Sequence, residues 1–116
     1  MTDPRATVNT ICAALPGAEC TDPWGGGHDA WKLGGKLFAV IGSQGHGVSV
    51  KTDSVETATM LIDAGVASRA PYFHRSWVNL PLDAAEEELR HRLHRSYRLI
   101  RATLPKKVQV ALPAFG

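Results

Sequence analysis

Residues 29–41 run Asp29-Ala30-Trp31-Lys32-Leu33-Gly34-Gly35-Lys36-Leu37-Phe38-Ala39-Val40-Ile41 and predict a β-hairpin. The first five residues alternate between polar and apolar side chains, as in a half-buried strand. Gly34 and Gly35 suit a two-residue turn, because the favoured hairpin turns require positive φ angles. After a longer loop, Val48-Ser49-Val50-Lys51 predicts a further strand. We therefore expect residues 28–51 to form an antiparallel meander at the centre of the fold.

Helical patterns flank this meander. The expected apolar faces are Val8, Ile11, Cys12 and Leu15 in a first helix, Val55, Ala58, Leu61 and Ile62 in a second, and Leu89, Leu93, Tyr97, Ile100 and Leu104 in a third. Asp53 or Ser54 is expected to cap the second helix and Asp83 the third, which Pro105 ends. Extended segments around 19–24, 70–72 and 77–80 complete the order α-β-β-β-β-α-β-β-α. Hairpins stand where a parallel sheet would need crossovers, so we expect an α+β fold, a compact single domain with helices packed on an antiparallel sheet.

The chain length and composition are those of one globular domain. Its 116 residues suffice for a single hydrophobic core. No segment approaches the roughly 18 apolar residues of a membrane span, and the N-terminus lacks the basic start and apolar run of a signal peptide. We therefore expect no membrane association and a cytoplasmic location, in which Cys12 and Cys20 stay free thiols.

Positive charge is concentrated in the last quarter of the chain. Residues 84–107 contain seven Lys or Arg and three Glu, a charge of +4 that leaves −2 for the remainder. This asymmetry is typical of an anion-binding surface. The competing interpretation is a charged, solvated helix face, since the arginines are spread around the solvent side of the third helix.

The segment that begins at Tyr72 is dense in groups able to bind a ligand. Arg75 would contact a phosphate or a carboxylate, His74 would form a hydrogen bond, and Tyr72 or Phe73 would stack. Trp77 would line a pocket in the same interpretation. The alternative is structural, with Trp77 in the core and residues 74–76 forming a polar turn.

Three catalytic or cofactor motifs are disfavoured. The glycine run at 25–27 lacks the Lys and Ser/Thr of a phosphate loop and precedes a strand. His91 and His94 have a spacing suited to a metal, but arginines surround them, so we expect no metal site. His74 and Ser76 lack a glycine elbow and an orienting carboxylate, so we expect neither catalytic residues nor a cofactor.

The chain resembles the MmcQ/YjbR family. The resemblance is carried by the hairpin of residues 29–39, by 48–51, by His74-Arg75-Ser76-Trp77-Val78, and by Ser96-Tyr97-Arg98-Leu99 followed by Leu104-Pro105-Lys106-Lys107. It implies a single MmcQ/YjbR-like domain over 1–116, with a core of about 3–107 and a short C-terminal tail, 108–116. It also implies a fold similar to the double wing of a phage transcription activator's DNA-binding domain. The family supplies no agreed catalytic residues.

These observations favour a small bacterial DNA-binding or regulatory protein. We expect the hairpin with Lys32 and Lys36 to contact the backbone of duplex DNA, together with His74 and Arg75, assisted by Lys106 and Lys107. The alternative is a protein-interaction or small-anion-binding module without catalysis. In that case the segment from Tyr72 to Trp77 lines a pocket beside the sheet.

Overall fold

A computed structural model describes residues 3–115 of the chain. Its elements, in chain order, are α1 (Ala6–Ala13), β1 (Glu19–Thr21), β2 (Asp29–Leu33), β3 (Lys36–Ile41), β4 (Gly47–Lys51), α2 (Val55–Asp63), β5 (Ser68–Arg69), β6 (Trp77–Pro81), α3 (Glu86–Thr103) and α4 (Lys106–Ala111). The strands form one antiparallel sheet in the order β1-β2-β3-β4-β6-β5. The α+β prediction and the predicted order are confirmed, and α4 follows the last predicted helix.

Several boundaries differ from the sequence prediction for local reasons. Ser54 rather than Asp53 caps α2, because its hydroxyl accepts the Thr57 amide at 3.1 Å. Asp83 does not cap α3. The cap position is Ala85, two residues after Asp83. Asp83 lies instead within a turn, in which the Ala84 amide donates to the Pro81 carbonyl. The extended segment predicted around 70–72 lies earlier, as β5, and residues 71–72 form a turn.

The core lies on one face of the sheet. Val48 and Val50 of β4 are fully buried and point to this face, as do Val78 and Leu80 of β6. All four helices contribute to the same cluster, including the predicted face of α3: Leu89, Leu93, Tyr97, Ile100 and Leu104. The helices therefore cover this face, and the strand residues between the core positions point to the second face.

The second face carries polar side chains in register. Ser49 lies opposite Asn79 in the β4–β6 ladder, and the Asn79 amide donates to the Ser49 hydroxyl at 3.2 Å. Lys51 lies opposite Trp77 two residue pairs further along the same ladder. Lys32 alternates with two core residues of β2 and also points to this face.

Most exposed lysines gather at one end of the sheet, and a run of three glutamates lies at the other end. Because neighbouring strands are antiparallel, β2 and β4 end where β3 and β6 begin. This end, which we call the basic end, carries Lys36, Lys51, Arg75, Lys106 and Lys107. The helix α3 runs towards it, so the acidic first turn of α3, residues 86–88, lies at the other end. No helix among residues 3–115 is long and apolar enough to span a bilayer.

Candidate functional site

Lys51, Ser76 and His74 form a hydrogen-bonded chain at the basic end. The Lys51 ammonium donates to the Ser76 hydroxyl at 3.2 Å, and this hydroxyl lies 2.9 Å from His74 Nδ1. The Ser76 amide also donates to His74 Nδ1 at 3.1 Å, so Nδ1 is the acceptor and the ring proton resides on Nε2. The His74 ring is thereby oriented with its N–H donor away from Ser76.

Thr52 holds the segment beneath this chain. Its amide and its hydroxyl both donate to the Ser76 carbonyl, at 2.9 and 2.6 Å, and its side chain is fully buried. The turn that leads into β6 closes when the Trp77 amide donates to the His74 carbonyl at 2.8 Å. Residues 74–77 therefore have a fixed conformation, and ligand contacts made there lose little conformational entropy on binding.

Ser96 fixes the end of β4 on which Lys51 lies. The β3–β4 ladder ends at Ala39 and Val50, and the next pair of backbone groups is bridged by the Ser96 hydroxyl. This hydroxyl accepts the Lys51 amide at 2.9 Å and donates to the Phe38 carbonyl at 2.6 Å. A buried side chain of α3 thus replaces a ladder contact and joins the helix to two strands.

The aromatic residues of the segment have different environments. Phe73 stacks on Trp77 with ring centroids 4.5 Å apart, and Trp77 is 8% exposed. Tyr72 is fully exposed. Trp77 is thus buried beneath Phe73 and supports the segment, whereas the Tyr72 ring is exposed.

Arg75 is the most available cation of the group. Its side chain is exposed, and within residues 3–115 it has no hydrogen bond or ion pair. His74 beside it is also exposed, whereas Lys51 is half-buried. The three side chains offer positive charge and N–H donors to one anion or to successive phosphates.

Lys36 has a partner of its own at the end of α3. Its ammonium donates to the Thr103 hydroxyl at 3.2 Å, and the Thr103 carbonyl lies 3.5 Å away. A cation at this position is favoured by the helix dipole. The hairpin turn next to it packs on Leu104, because a Cβ at Gly34 would lie 2.9 Å from Leu104 Cδ2. The predicted hairpin is therefore docked on the C-terminal end of α3.

The remaining predicted cations fall into two places. Lys106 and Lys107 are exposed in the first turn of α4, directly after the contact of Leu104 with the hairpin, and so lie near Lys36. Lys32 is half-buried and lies opposite Glu19 in the β1–β2 ladder, away from the other cations. The basic end thus carries two groups of cations: Lys36 with Lys106 and Lys107 beside the end of α3, and Lys51 with His74 and Arg75 at the start of β6.

Asp53, a carboxylate near this end, has a basic partner. Arg95 Nε donates to Asp53 Oδ1 at 2.6 Å, and this hydrogen bond lowers the pKa of Asp53. Other arginines of α3 are bound within the fold: Arg101 Nη1 donates to the Tyr97 hydroxyl at 2.8 Å, and the Arg98 guanidinium lies 4.5 Å from the centre of the Phe115 ring. Much of the charge on α3 is therefore engaged in contacts within the fold.

Ser76 is only 4% exposed. Within residues 3–115, no hydrogen bond or ion pair joins a carboxylate to His74 or to Lys51. Among residues 3–115, no group of three His, Cys, Asp or Glu side chains is arranged to hold a metal ion. Lys51 is a member of this cation group that the sequence analysis does not select. Its position two residues after Ser49 in an alternating strand indicates that its side chain lies on the same face of the sheet as Ser49.

Comparison with known proteins identifies the family. The structure is similar to the crystal structure of Deinococcus radiodurans protein DR2400, described as a DUF419 domain. The TM-score is 0.79, with 22% sequence identity over 95% of this chain and 90% of that chain. The comparison with curated proteins finds no match. The family model named YjbR matches residues 13–99, most of the chain, and this confirms that the chain belongs to the YjbR family.

Proposed function

We propose that this protein binds duplex DNA through phosphate contacts made by its basic end. The observation that carries the proposal is the separation of charge along the sheet. Arg75, Lys36, Lys106 and Lys107 lie at one end, and the acidic first turn of α3 lies at the other. Such a polarised surface attracts a polyanion and orients it before contact.

Arg75 makes the central contact in this proposal. Its guanidinium has no partner to lose within residues 3–115, so a phosphate adds two hydrogen bonds without breaking an internal one. Lys51 and His74 stand beside it on a segment fixed by Thr52. Lys36 contributes charge from its position at Thr103, and Lys106 and Lys107 extend the surface along α4.

The test is a binding measurement on a short duplex at two salt concentrations. With roughly four phosphate contacts, affinity should fall about 100-fold between about 50 and 200 mM salt. Arg75→Gln should weaken binding and lower the salt slope by about one. The matched control is Arg90→Gln, which removes the same charge near the acidic end, where Arg90 pairs with Glu86 at 2.9 Å. Equal effects of the two variants, or no binding at low salt, would refute the proposal.

A second candidate is a small-anion-binding module without catalysis. The observation that favours it is the half-buried Lys51 ammonium beside the oriented His74 ring and Arg75. Inorganic phosphate is the discriminating probe. Binding of phosphate that Lys51→Met abolishes, in a protein that does not bind duplex, supports this candidate and excludes the first.

A further inference from the structure

Tyr72 has an unusual backbone and an unusual exposure. Its φ of 71° makes it the only non-glycine residue with positive φ in the described part of the chain. Its relative exposure is 105%, so the ring packs on nothing. Left-handed backbone is unfavourable for a residue with a Cβ, and it persists only where the surroundings impose it.

The surroundings of Tyr72 do impose it. Ala70 on one side is fully buried, and the Phe73 amide on the other donates to the Ala70 carbonyl at 3.4 Å. Phe73 is held against Trp77, and the following turn is held by Thr52. The fold thus displays the Tyr72 ring from a fixed support while gaining no packing from it.

The neighbours of Tyr72 indicate the chemistry of what the ring meets. Arg75 is exposed three residues further along, and Lys51 and His74 lie beside it. An aromatic face next to cations is the arrangement that binds an unpaired base together with its flanking phosphates. Side chains that insert between stacked base pairs of a duplex are mostly wholly apolar, such as Phe or Leu. The Tyr72 ring carries a polar hydroxyl, so it is better suited to stack on an accessible base with its hydroxyl edge in water.

We propose that Tyr72 stacks on an unpaired base, so that the preferred ligand of the basic end is DNA with an unpaired nucleotide beside its backbone contacts. This inference rests on the proposed DNA-binding function and adds the class of DNA bound. Such a base occurs in two kinds of DNA, a single strand and a distorted duplex. Oligonucleotides of each kind distinguish the two.

The experiment compares three DNA ligands of equal length. One is a perfect duplex, the second is the same duplex with one unpaired 2-aminopurine, and the third is the single strand containing that base. Wild type should bind at least one unpaired-base ligand roughly 5- to 100-fold more tightly than the duplex, with quenching of the 2-aminopurine emission. Tyr72→Gly, which suits the positive φ, should abolish this preference and leave duplex affinity unchanged. Tyr72→Phe should retain it.

Each outcome bears on the proposal. Preference for the single strand or for the interrupted duplex supports it and identifies the source of the base. Equal affinity of wild type for all three ligands overturns it. It is also overturned if Tyr72→Gly loses affinity for every ligand by the same factor. In both cases the proposed duplex binding stands. Absence of binding to any DNA at low salt overturns both proposals. Thermal melting of each variant confirms that it is folded.

Discussion

The Ser96 hydroxyl donates a 2.6 Å hydrogen bond to the Phe38 carbonyl, across 58 residues of sequence. The same oxygen accepts the Lys51 amide, so one fully buried side chain of α3 satisfies backbone groups of both β3 and β4. The strand end that carries Lys51 is therefore positioned by the helix behind it.

Ser96→Ala should destabilise the fold markedly. It leaves a carbonyl of β3 and an amide of β4 without partners, at a cost of about 1–3 kcal/mol. Urea unfolding measures the change. Ser68→Ala is the control, because Ser68 is exposed in an edge strand and its hydroxyl makes only a 3.5 Å contact. A Ser96→Ala loss no larger than that of Ser68→Ala would contradict the bridging role.

Docking of the hairpin on α3 can be measured with its two glycines. Gly34 and Gly35 both have positive φ, at 56° and 82°, but only at Gly34 would an added Cβ meet Leu104. Gly35→Ala should cost about 1 kcal/mol from backbone strain alone. Gly34→Ala should cost about 1–3 kcal/mol more, because the Cβ crowds a packed contact.

The difference between these two variants reports the contact with α3. Leu104→Ala provides an independent check, since it creates space beside residue 34. In that background the extra cost of Gly34→Ala should shrink. Equal costs for Gly34→Ala and Gly35→Ala in the wild-type background would show that the hairpin moves freely and does not dock.

Acid should weaken the fold in two steps. Burial, followed by the charges of Arg90, Arg98 and His91, lowers the pKa of His94 below 6.5. The unfolded chain thus binds this proton more readily, so stability is complete above pH 6.5 and falls as pH drops towards the folded pKa. The His94→Gln variant should show a flatter dependence of unfolding free energy on pH between about 7 and 5.

The second step involves Asp29 and lies at lower pH. Burial alone raises the pKa of Asp29, but hydrogen bonds from Asn9 and Arg5 and the Arg5 charge outweigh it, so the net pKa lies below 3.8. The stability it contributes is present above pH 3.8 and is lost as pH falls through the lower, folded value. Asp29→Asn should remove this step and leave the His94 step. If the variant loses stability below pH 3.8 as steeply as wild type, this assignment is wrong.

Local sequence patterns predict most of the fold, and the elements that they do not predict have physical causes. Gly34-Gly35 and the alternation around them predicted β2 and β3 with their observed bounds. The helix α4 is not predicted from the sequence because it has only six residues. In the fold it is stabilised by Val108, which packs against the core. So short a helix has little intrinsic stability, and no pattern of the chain alone predicts its packing.

The candidate site was only partly readable, because its geometry depends on contacts distant in sequence. Lys51 and Ser76 are 25 residues apart and meet only through the β4–β6 ladder. Lys36 and Thr103 are 67 residues apart, so a lysine that looks free on a hairpin tip has a partner on α3. Arg75 remains a predicted contact, and its grouping with His74 and Ser76 follows from the sequence because these neighbours in sequence are also neighbours in space.

The strain at Tyr72 gives the last prediction. Its φ of 71° suits Asn, whose short polar side chain tolerates left-handed backbone, better than it suits Tyr. The fully exposed ring contributes no packing to offset this. Tyr72→Asn should therefore raise the free energy of unfolding by about 0.5–1 kcal/mol. Tyr72→Phe, which keeps the strain and the ring, should leave it unchanged. Thermal and urea unfolding both measure the difference, and a destabilised Tyr72→Asn would show that the ring supports the fold and is not held out for a ligand.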